Sequence, residues 1–349
     1  MNNDNQHSAK DNHVMANQFC SHTVDQWLSD AKERCIDGSQ RLSYLLELRR
    51  LLPSILADSS HTSNSANAIS ILAKLVELAD LLCDWPLRLV VHQQYMQQPD
   101  ASQLFNNSDP ATLLAETYQH MGRYDLAKHV LRLALLAHPD DQRQQQAWRY
   151  ACESSTPLVC TEKNDLWITP LLVQHLYDFA WQYNESIQAL CNLPVFTEND
   201  DWHYWLDDMQ NDPHREVFAI FHQEWGFIGS VSLQLYDGVG FFYYWLGEDF
   251  QGMGLGPQAV ELLMQWGEQQ GMTCCYAKIY ADNIPSHKAI QKIGFQPLPF
   301  AAAAPDEHEV FYYRGANKPE HQLFQGLKYL LYAMNSDIQP VPNQQTIAA

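Results

Sequence analysis

The sequence has no apolar run of the length that crosses a bilayer, for which about 20 consecutive apolar residues are needed. Met1 to Ala16 are polar and hold no apolar core of the kind that directs export. A membrane partner and secretion are therefore not expected, and the cytoplasm is the expected location. The eight cysteines, scattered from Cys20 to Cys275, include no Cys-x-x-Cys pair. They read as buried, reduced thiols and not as a disulfide framework. There are 15 histidines but no His-Glu-x-x-His and no Cys/His ligand spacing, so no metal is expected. Basic residues are scarce. The formal net charge is −20, and from Glu162 to Gly315 there are 21 acidic residues against six basic ones. Nucleic-acid binding places Lys and Arg on phosphates, so a nucleic-acid partner is not expected. An acidic field draws in cations.

What is present is enough for two cores. The chain has 349 residues, 46% hydrophobic and 12% aromatic, and domains run to roughly 100–200 residues each. Residues 1–22 read as a disordered tail. A helical pattern fills 23–158, with Arg41 to Ala57 and Ala68 to Gln97 as examples, the second interrupted at Pro86. Leu114, Ala115, Tyr118, Gly122, Tyr124, Ala127, Leu131, Ala134 and Pro139 fall where a tetratricopeptide (TPR) repeat places them. Small residues let two helices approach, Gly122 eases the turn between them and Pro139 stops the second. The region is expected to be TPR-like, its face binding peptide or protein or serving as an ordinary packed hairpin.

After Asn164 the pattern changes. Strands are expected at 166–168, 216–222, 226–236, 241–246, 274–280 and 310–314. Helices are expected at 170–183, 202–209, 256–270 and 285–293. The expectation is an α+β domain over 162–315, followed over 316–349 by a helix (Glu320 to Ala333) and a flexible tail.

One segment of this domain carries a chemical signal. Gln251-Gly252-Met253-Gly254-Leu255-Gly256 lies between a strand and a helix. Glycines let a backbone approach an anion, and a helix N-terminus offers N–H groups and partial positive charge. That suits a pyrophosphate. Downstream, after one helix and one strand, comes Asn283-Ile-Pro-Ser286-His-Lys-Ala-Ile290-Gln-Lys-Ile-Gly294-Phe295.

Together these segments resemble the GNAT N-acetyltransferase superfamily. The first matches its Gln/Arg-x-x-Gly-x-Gly/Ala motif and the second its Asn-x-x-Ser/Ala and Lys-x-Gly-Phe signature. Tyr244-Trp245-Leu246 followed by Glu248-Asp249-Phe250-Gln251, and the earlier Leu193-Pro194-Val195-Phe196-Thr197, are similar to the Rim-type branch that acetylates protein N-termini. The resemblance implies a GNAT fold, with a mixed, mostly antiparallel sheet flanked by helices, and acetyl-CoA as cosubstrate. It implies that Tyr244, Trp245 and Leu246 pair with the pantetheine and stabilise the oxyanion. Gln251, Gly252, Met253, Gly254, Leu255 and Gly256 would hold the pyrophosphate, Asn283 the pantetheine arm, and Ser286 would sit by the thiol. Lys278, Lys288 and Lys292 suit a polyanionic cosubstrate within an acidic domain.

The reaction is attack of an amine on an acyl thioester. Ile290 stands where many family members have the Tyr that protonates the departing sulfur, so Ser286 is the expected acid, with His287 and Tyr280 behind it. A thiol pKa of about 8.5 makes thiolate a fair leaving group. Lys278 stands where some relatives have a basic Glu. Glu248 and Asp306, together with Glu224 and Glu307, are the candidate bases acting through water. Freeing a lysine at pH 7 costs roughly 4.6 kcal/mol, against about 1 kcal/mol for an α-amine. The expected acceptor is therefore a peptide or protein N-terminus. A small cationic amine such as a polyamine, or a non-catalytic acyl-CoA-binding domain on the TPR-like scaffold, are the alternatives.

Overall fold

The computed structural model describes residues 24–31, 50, 52–54, 65–96, 110–153, 158–191, 196, 199–306 and 308–342. The tail expected at 1–22, most of the helix expected from Arg41 to Ala57, residues 193–195 and 197, and Glu307 lie outside them. The chain divides into two compact units, 1–156 with 224–226, and 157–223 with 227–349.

In the first unit the described residues up to 153 are mainly helical. Helices α1 (Ser65–Leu82) and α2 (Trp85–Met96) fall in the stretch read as one interrupted helix. The break precedes Pro86: Cys83 has a positive φ of 49°, and the Asp84 carboxylate accepts the Leu87 N–H at 3.2 Å. Pro86 then lies in the first turn of α2, where its missing N–H costs nothing. Leu72, Leu75, Leu78, Ala79, Leu87 and Val91 pack together here. Helices α3 (Pro110–His120), α4 (Tyr124–Ala137) and α5 (Gln142–Glu153) follow. Gly122, at φ 67°, makes the α3–α4 turn, and Ala115, Ala127, Leu131 and Ala151 form the core of the group.

The second unit is an α+β sheet structure of nine strands in the order β1-β2-β3-β4-β5-β6-β8-β7-β9. The strands are β1 (Val159–Cys160), β2 (Leu166–Pro170), β3 (Arg215–His222), β4 (Gly226–Tyr236), β5 (Val239–Leu246), β6 (Cys274–Tyr280), β7 (Gln296–Ala302), β8 (Glu309–Gly315) and β9 (Pro340–Pro342). Around them lie α6 (Leu176–Gln182), α7 (Glu185–Leu190), α8 (Asn199–Asn211), α9 (Leu255–Gln269), α10 (Ile284–Lys292) and α11 (Glu320–Ala333). The helix expected from Pro170 begins only at Leu176, because sheet pairing continues past Pro170 through Leu171 N–H to Val217 O at 2.8 Å. Helix α11 covers Glu320–Ala333, the span of the helix expected there, and is followed by β9. Leu327, Leu330 and Leu331 of α11 bury against Phe241, Tyr276 and Phe311, and β9 pairs with β7.

Two features of this sheet position the site. The first is a split between neighbouring strands. β5 pairs with β4 along its whole length, but its parallel pairing with β6 covers only Val239↔Cys274, Gly240↔Cys275 and Phe241↔Tyr276. Beyond that point the strands continue to Leu246 and Tyr280 without pairing. The second is the alternation of side chains. Ser230, Ser232, Tyr243 and Trp245 share one face of the β4–β5 ladder, and in register with them stand Lys278 and Tyr280 of β6 and Glu309 of β8. Tyr244 and Leu246 face the other way, toward the start of α9, where a Cβ on Gly256 would meet the Tyr244 ring at 3.1 Å.

Candidate active site

The split between β5 and β6 opens into a cavity of about 720 Å³ that reaches both faces of the sheet. On the α9 face it is lined by Tyr244, Gln251, Gly252, Gly254, Gly256, Asn283, Ser286, Lys288, Ile290 and Lys292. On the opposite face it is lined by Arg215, Ser232, Tyr243, Lys278, Tyr280 and Glu309, with Met334 and Ser336 from the end of α11.

The strand edge follows from the ladder. Gly247 N–H donates to Ile228 O at 2.9 Å, so Trp245 and Tyr243 also turn their amides toward β4. Phe242, Tyr244 and Leu246 turn theirs toward the gap. The Leu246 carbonyl accepts from Gln251 Nε2 at 3.1 Å, which ties the glycine turn to the end of the strand. The Tyr244 N–H and C=O and the Leu246 N–H therefore face the split, an edge that an extended ligand can pair with as a strand would.

The turn itself holds Gly252 at φ 75° and Gly254 at φ 79°. These values suit glycine alone. A Cβ at either would meet nothing within 4 Å, so both face open space. Gly254 is the N-cap of α9, and no side chain caps it. The first-turn N–H groups of a 15-residue helix are thus left for an external acceptor. Lys288 and Lys292, both exposed on α10, add positive charge along the same wall. Met253 is 51% exposed and Leu255 is buried, and neither lines the cavity.

Asn283 caps α10, its side-chain oxygen accepting the Ser286 N–H at 3.2 Å. The Tyr244 hydroxyl and Ser286 are close enough to interact; burial raises the Tyr244 pKa more than this contact lowers it. Tyr244 therefore keeps its proton near neutral pH. Ile290 is buried in the cavity wall. His287 is engaged elsewhere: Nδ1 lies 2.8 Å from the Tyr312 hydroxyl and Nε2 3.3 Å from Ala281 O. Burial pushes the Cys191 thiol, also in the wall, up to about 12, which leaves it a poor nucleophile.

Across the sheet lies a group that sequence reasoning missed. The Lys278 ammonium is ion-paired with Glu309, and the two side chains are 6% and 3% exposed. Lys278 is thereby separated from Lys288 and Lys292, with which its sequence position grouped it. The signal was present: a lone Lys in Cys274–Tyr280 and a lone Glu opening Glu309–Gly315 each interrupt an apolar strand face. Glu248 is exposed in the 3-10 turn Glu248–Phe250, and Asp306 sits in the β7–β8 connection. Neither lines the cavity. Phe196 belongs to an aromatic cluster with Trp202, Trp205, Phe179, Tyr183 and Trp245, and it stacks on Trp202 at 3.7 Å.

Residues 165–296 match the family model described as Acetyltransferase (GNAT) domain. This segment is a GNAT acetyltransferase domain. Solved structures similar to the chain include a RimL ribosomal L7/L12 alpha-N-protein acetyltransferase in complex with coenzyme A. It is 19% identical, with 45% of this chain and 97% of that one covered and a TM-score of 0.41. A Salmonella typhimurium acetyltransferase that modifies the N-terminal serine of L7/L12 is 20% identical over 44% and 96%, TM-score 0.39. A Vibrio cholerae spermidine N-acetyltransferase is 13% identical over 43% and 95%, TM-score 0.39. No curated protein sequence matches. The GNAT segment contains the glycine turn and the Asn283–Ser286 cap, while Glu309, Met334 and Ser336 follow it in the chain.

Proposed function

We propose that this chain transfers an acetyl group from acetyl-CoA to the α-amine of a peptide or protein, by direct attack within the GNAT domain. The observation that carries the reading is the β5–β6 split ending beside an uncapped helix N-terminus, in a cavity open to both faces of the sheet. Acetyl-CoA would supply an activated acyl thioester. The α9 turn with Gly252 and Gly254 holds its pyrophosphate, Lys288 and Lys292 neutralise phosphate charge, and the Tyr244–Leu246 edge pairs with its amide-bearing arm. An N–H of that edge directed at the thioester oxygen stabilises the charge that develops there. Ser286, backed by the protonated Tyr244 hydroxyl, delivers a proton to the departing sulfur. The high pKa of Cys191 supports direct transfer over a covalent enzyme intermediate.

The acceptor assignment rests on proton cost: an α-amine loses its proton at pH 7 for about 1 kcal/mol, a lysine for roughly 4.6. Titration calorimetry with acetyl-CoA, followed by labelled transfer to a peptide library and to spermidine, tests it. Binding with peptide labelling is the expected result. Absence of coenzyme binding overturns the site assignment, and label found only on spermidine overturns the acceptor.

A further inference from the structure

The face of the cavity opposite α9 holds two charged side chains that each have a polar atom left over. Glu309 is 3% exposed; one carboxylate oxygen is paired with Lys278, while Oε2 is buried with no hydrogen-bond partner. A buried carboxylate oxygen without a donor is costly, and Glu309 is among the residues that line the cavity, where a ligand can supply a donor. Arg215, at the start of β3, lines the same cavity. Its Nη1 points at the Met209 sulfur at 2.8 Å, a weak acceptor, and its Nε is buried without a partner. No described carboxylate is ion-paired with it. Tyr243 lines the cavity with them; burial raises its pKa most, the Arg215 guanidinium lowers it and the Glu309 carboxylate raises it.

Resting on the acetyltransferase reading above, we infer that Glu309 and Arg215 form the acceptor subsite: Glu309 Oε2 binds the ammonium and takes its proton, and Arg215 binds the carbonyl oxygen beside it. The acceptor is thus an α-amine next to a C=O group, as at a peptide N-terminus or in a free amino acid. A polyamine offers nothing to Arg215 and is repelled by it. The protons and bonds balance. The ammonium gives one proton to Glu309, and the amine nitrogen bonds to the acyl carbon. The carbon–sulfur bond breaks with its electron pair on sulfur, which takes a proton from Ser286, and the second proton lost by the nitrogen passes through water to restore the one that Ser286 gave up. The amide and the thiol leave, and Glu309 returns its proton to water.

Three variants test this by steady-state kinetics with acetyl-CoA and a peptide, an amino-acid amide or spermidine. Glu309→Gln keeps the shape of the side chain, and Lys278→Met with Glu309→Leu removes the pair without leaving a buried charge. Both are expected to bind coenzyme as the wild type does and to lower kcat on peptide by about 100-fold; Glu309→Gln, which leaves Lys278 buried and unpaired, should melt lower, and the double variant should melt as the wild type does. Arg215→Gln should raise KM for the peptide by about 10-fold or more and leave KM for spermidine unchanged or lower. The amino-acid amide should follow the peptide if the α-amine and carbonyl suffice, and a weak response there assigns the subsite to longer peptides. Retention of kcat within about threefold in both Glu309 variants, or an equal effect of Arg215→Gln on peptide and spermidine, overturns the subsite. A wild-type protein that fails to bind acetyl-CoA shows a failure of the acetyltransferase reading instead, before any variant is made.

Discussion

Ser286 and Tyr244 show how position prepares a hydroxyl for the role proposed for it. Ser286 is fixed because Asn283 caps its helix, and its hydroxyl meets a tyrosine from the neighbouring strand. If the two pass one proton to sulfur in series, Ser286→Ala and Tyr244→Phe should each lower kcat by about 10-fold, and the double variant little more than either alone. The modest size follows from the leaving group, since a thiol of pKa about 8.5 departs without full protonation. Thiol release measured under saturating acetyl-CoA checks this; additive losses would show independent roles. Ser286 was legible from the Asn283-x-x-Ser286 spacing, but its partner was not, because Tyr244 was read for its backbone. Glu309 and Arg215 were hidden for another reason. They are 94 positions apart, and only the strand order β3-β4-β5-β6-β8 brings them to one face.

At the scale of elements, the glycine turn and α9 were legible because a strand, a Gly-x-Gly run and an apolar period of 3.6 adjoin one another. β7 was not. Pro297 and Pro299 speak against a strand, since proline cannot donate to a ladder. The structure accommodates them where demand for donors is low: the β7–β8 register shifts between Pro297 and Ala301, and β9 covers β7 only from Phe300 to Ala302. β9, three residues with two prolines, carries no alternation to read. The turn also allows a controlled test of its proposed role. Gly254 and Gly271 stand at opposite ends of α9, at φ 79° and 89°, and a Cβ on either meets no atom within 4 Å. Alanine at either position should cost a similar 1–2 kcal/mol or so of backbone strain. Only at Gly254 would the methyl group face the phosphate site. Gly254→Ala should weaken coenzyme affinity by about 10-fold or more, and Gly271→Ala should leave it unchanged at comparable loss of melting temperature. Equal affinities in the two variants would remove the pyrophosphate from this turn.

At the scale of the whole molecule, the two units carry different liabilities, and acid separates them. In the helical unit His92 and His120 are both held at about 4, first by burial and then by the Arg88 guanidinium. His92 contacts the Thr117 hydroxyl at 3.2 Å, and His120 stacks on Trp85 with centroids 4.2 Å apart. Both are neutral in the folded state, while an unfolded histidine takes up a proton near pH 6.5. Between about pH 6.5 and 4 the unfolded chain therefore binds more protons, and stability must fall as pH is lowered through that window. The full effect is on the order of 3 kcal/mol for each histidine. Burial also raises the pKa of Asp80 and Glu116 in the same unit. Protonation relieves those carboxylates in the fold and so favours it, but only in the carboxylate range below the start of the histidine window. The histidine loss should dominate from pH 6.5 to about 5. Hydrogen exchange followed by mass spectrometry is expected to show peptides from 65–153 losing protection over this interval. His92→Gln together with His120→Gln should flatten the dependence. Unchanged protection of 65–153 down to pH 5 would mean that these two rings are solvated and not packed as described.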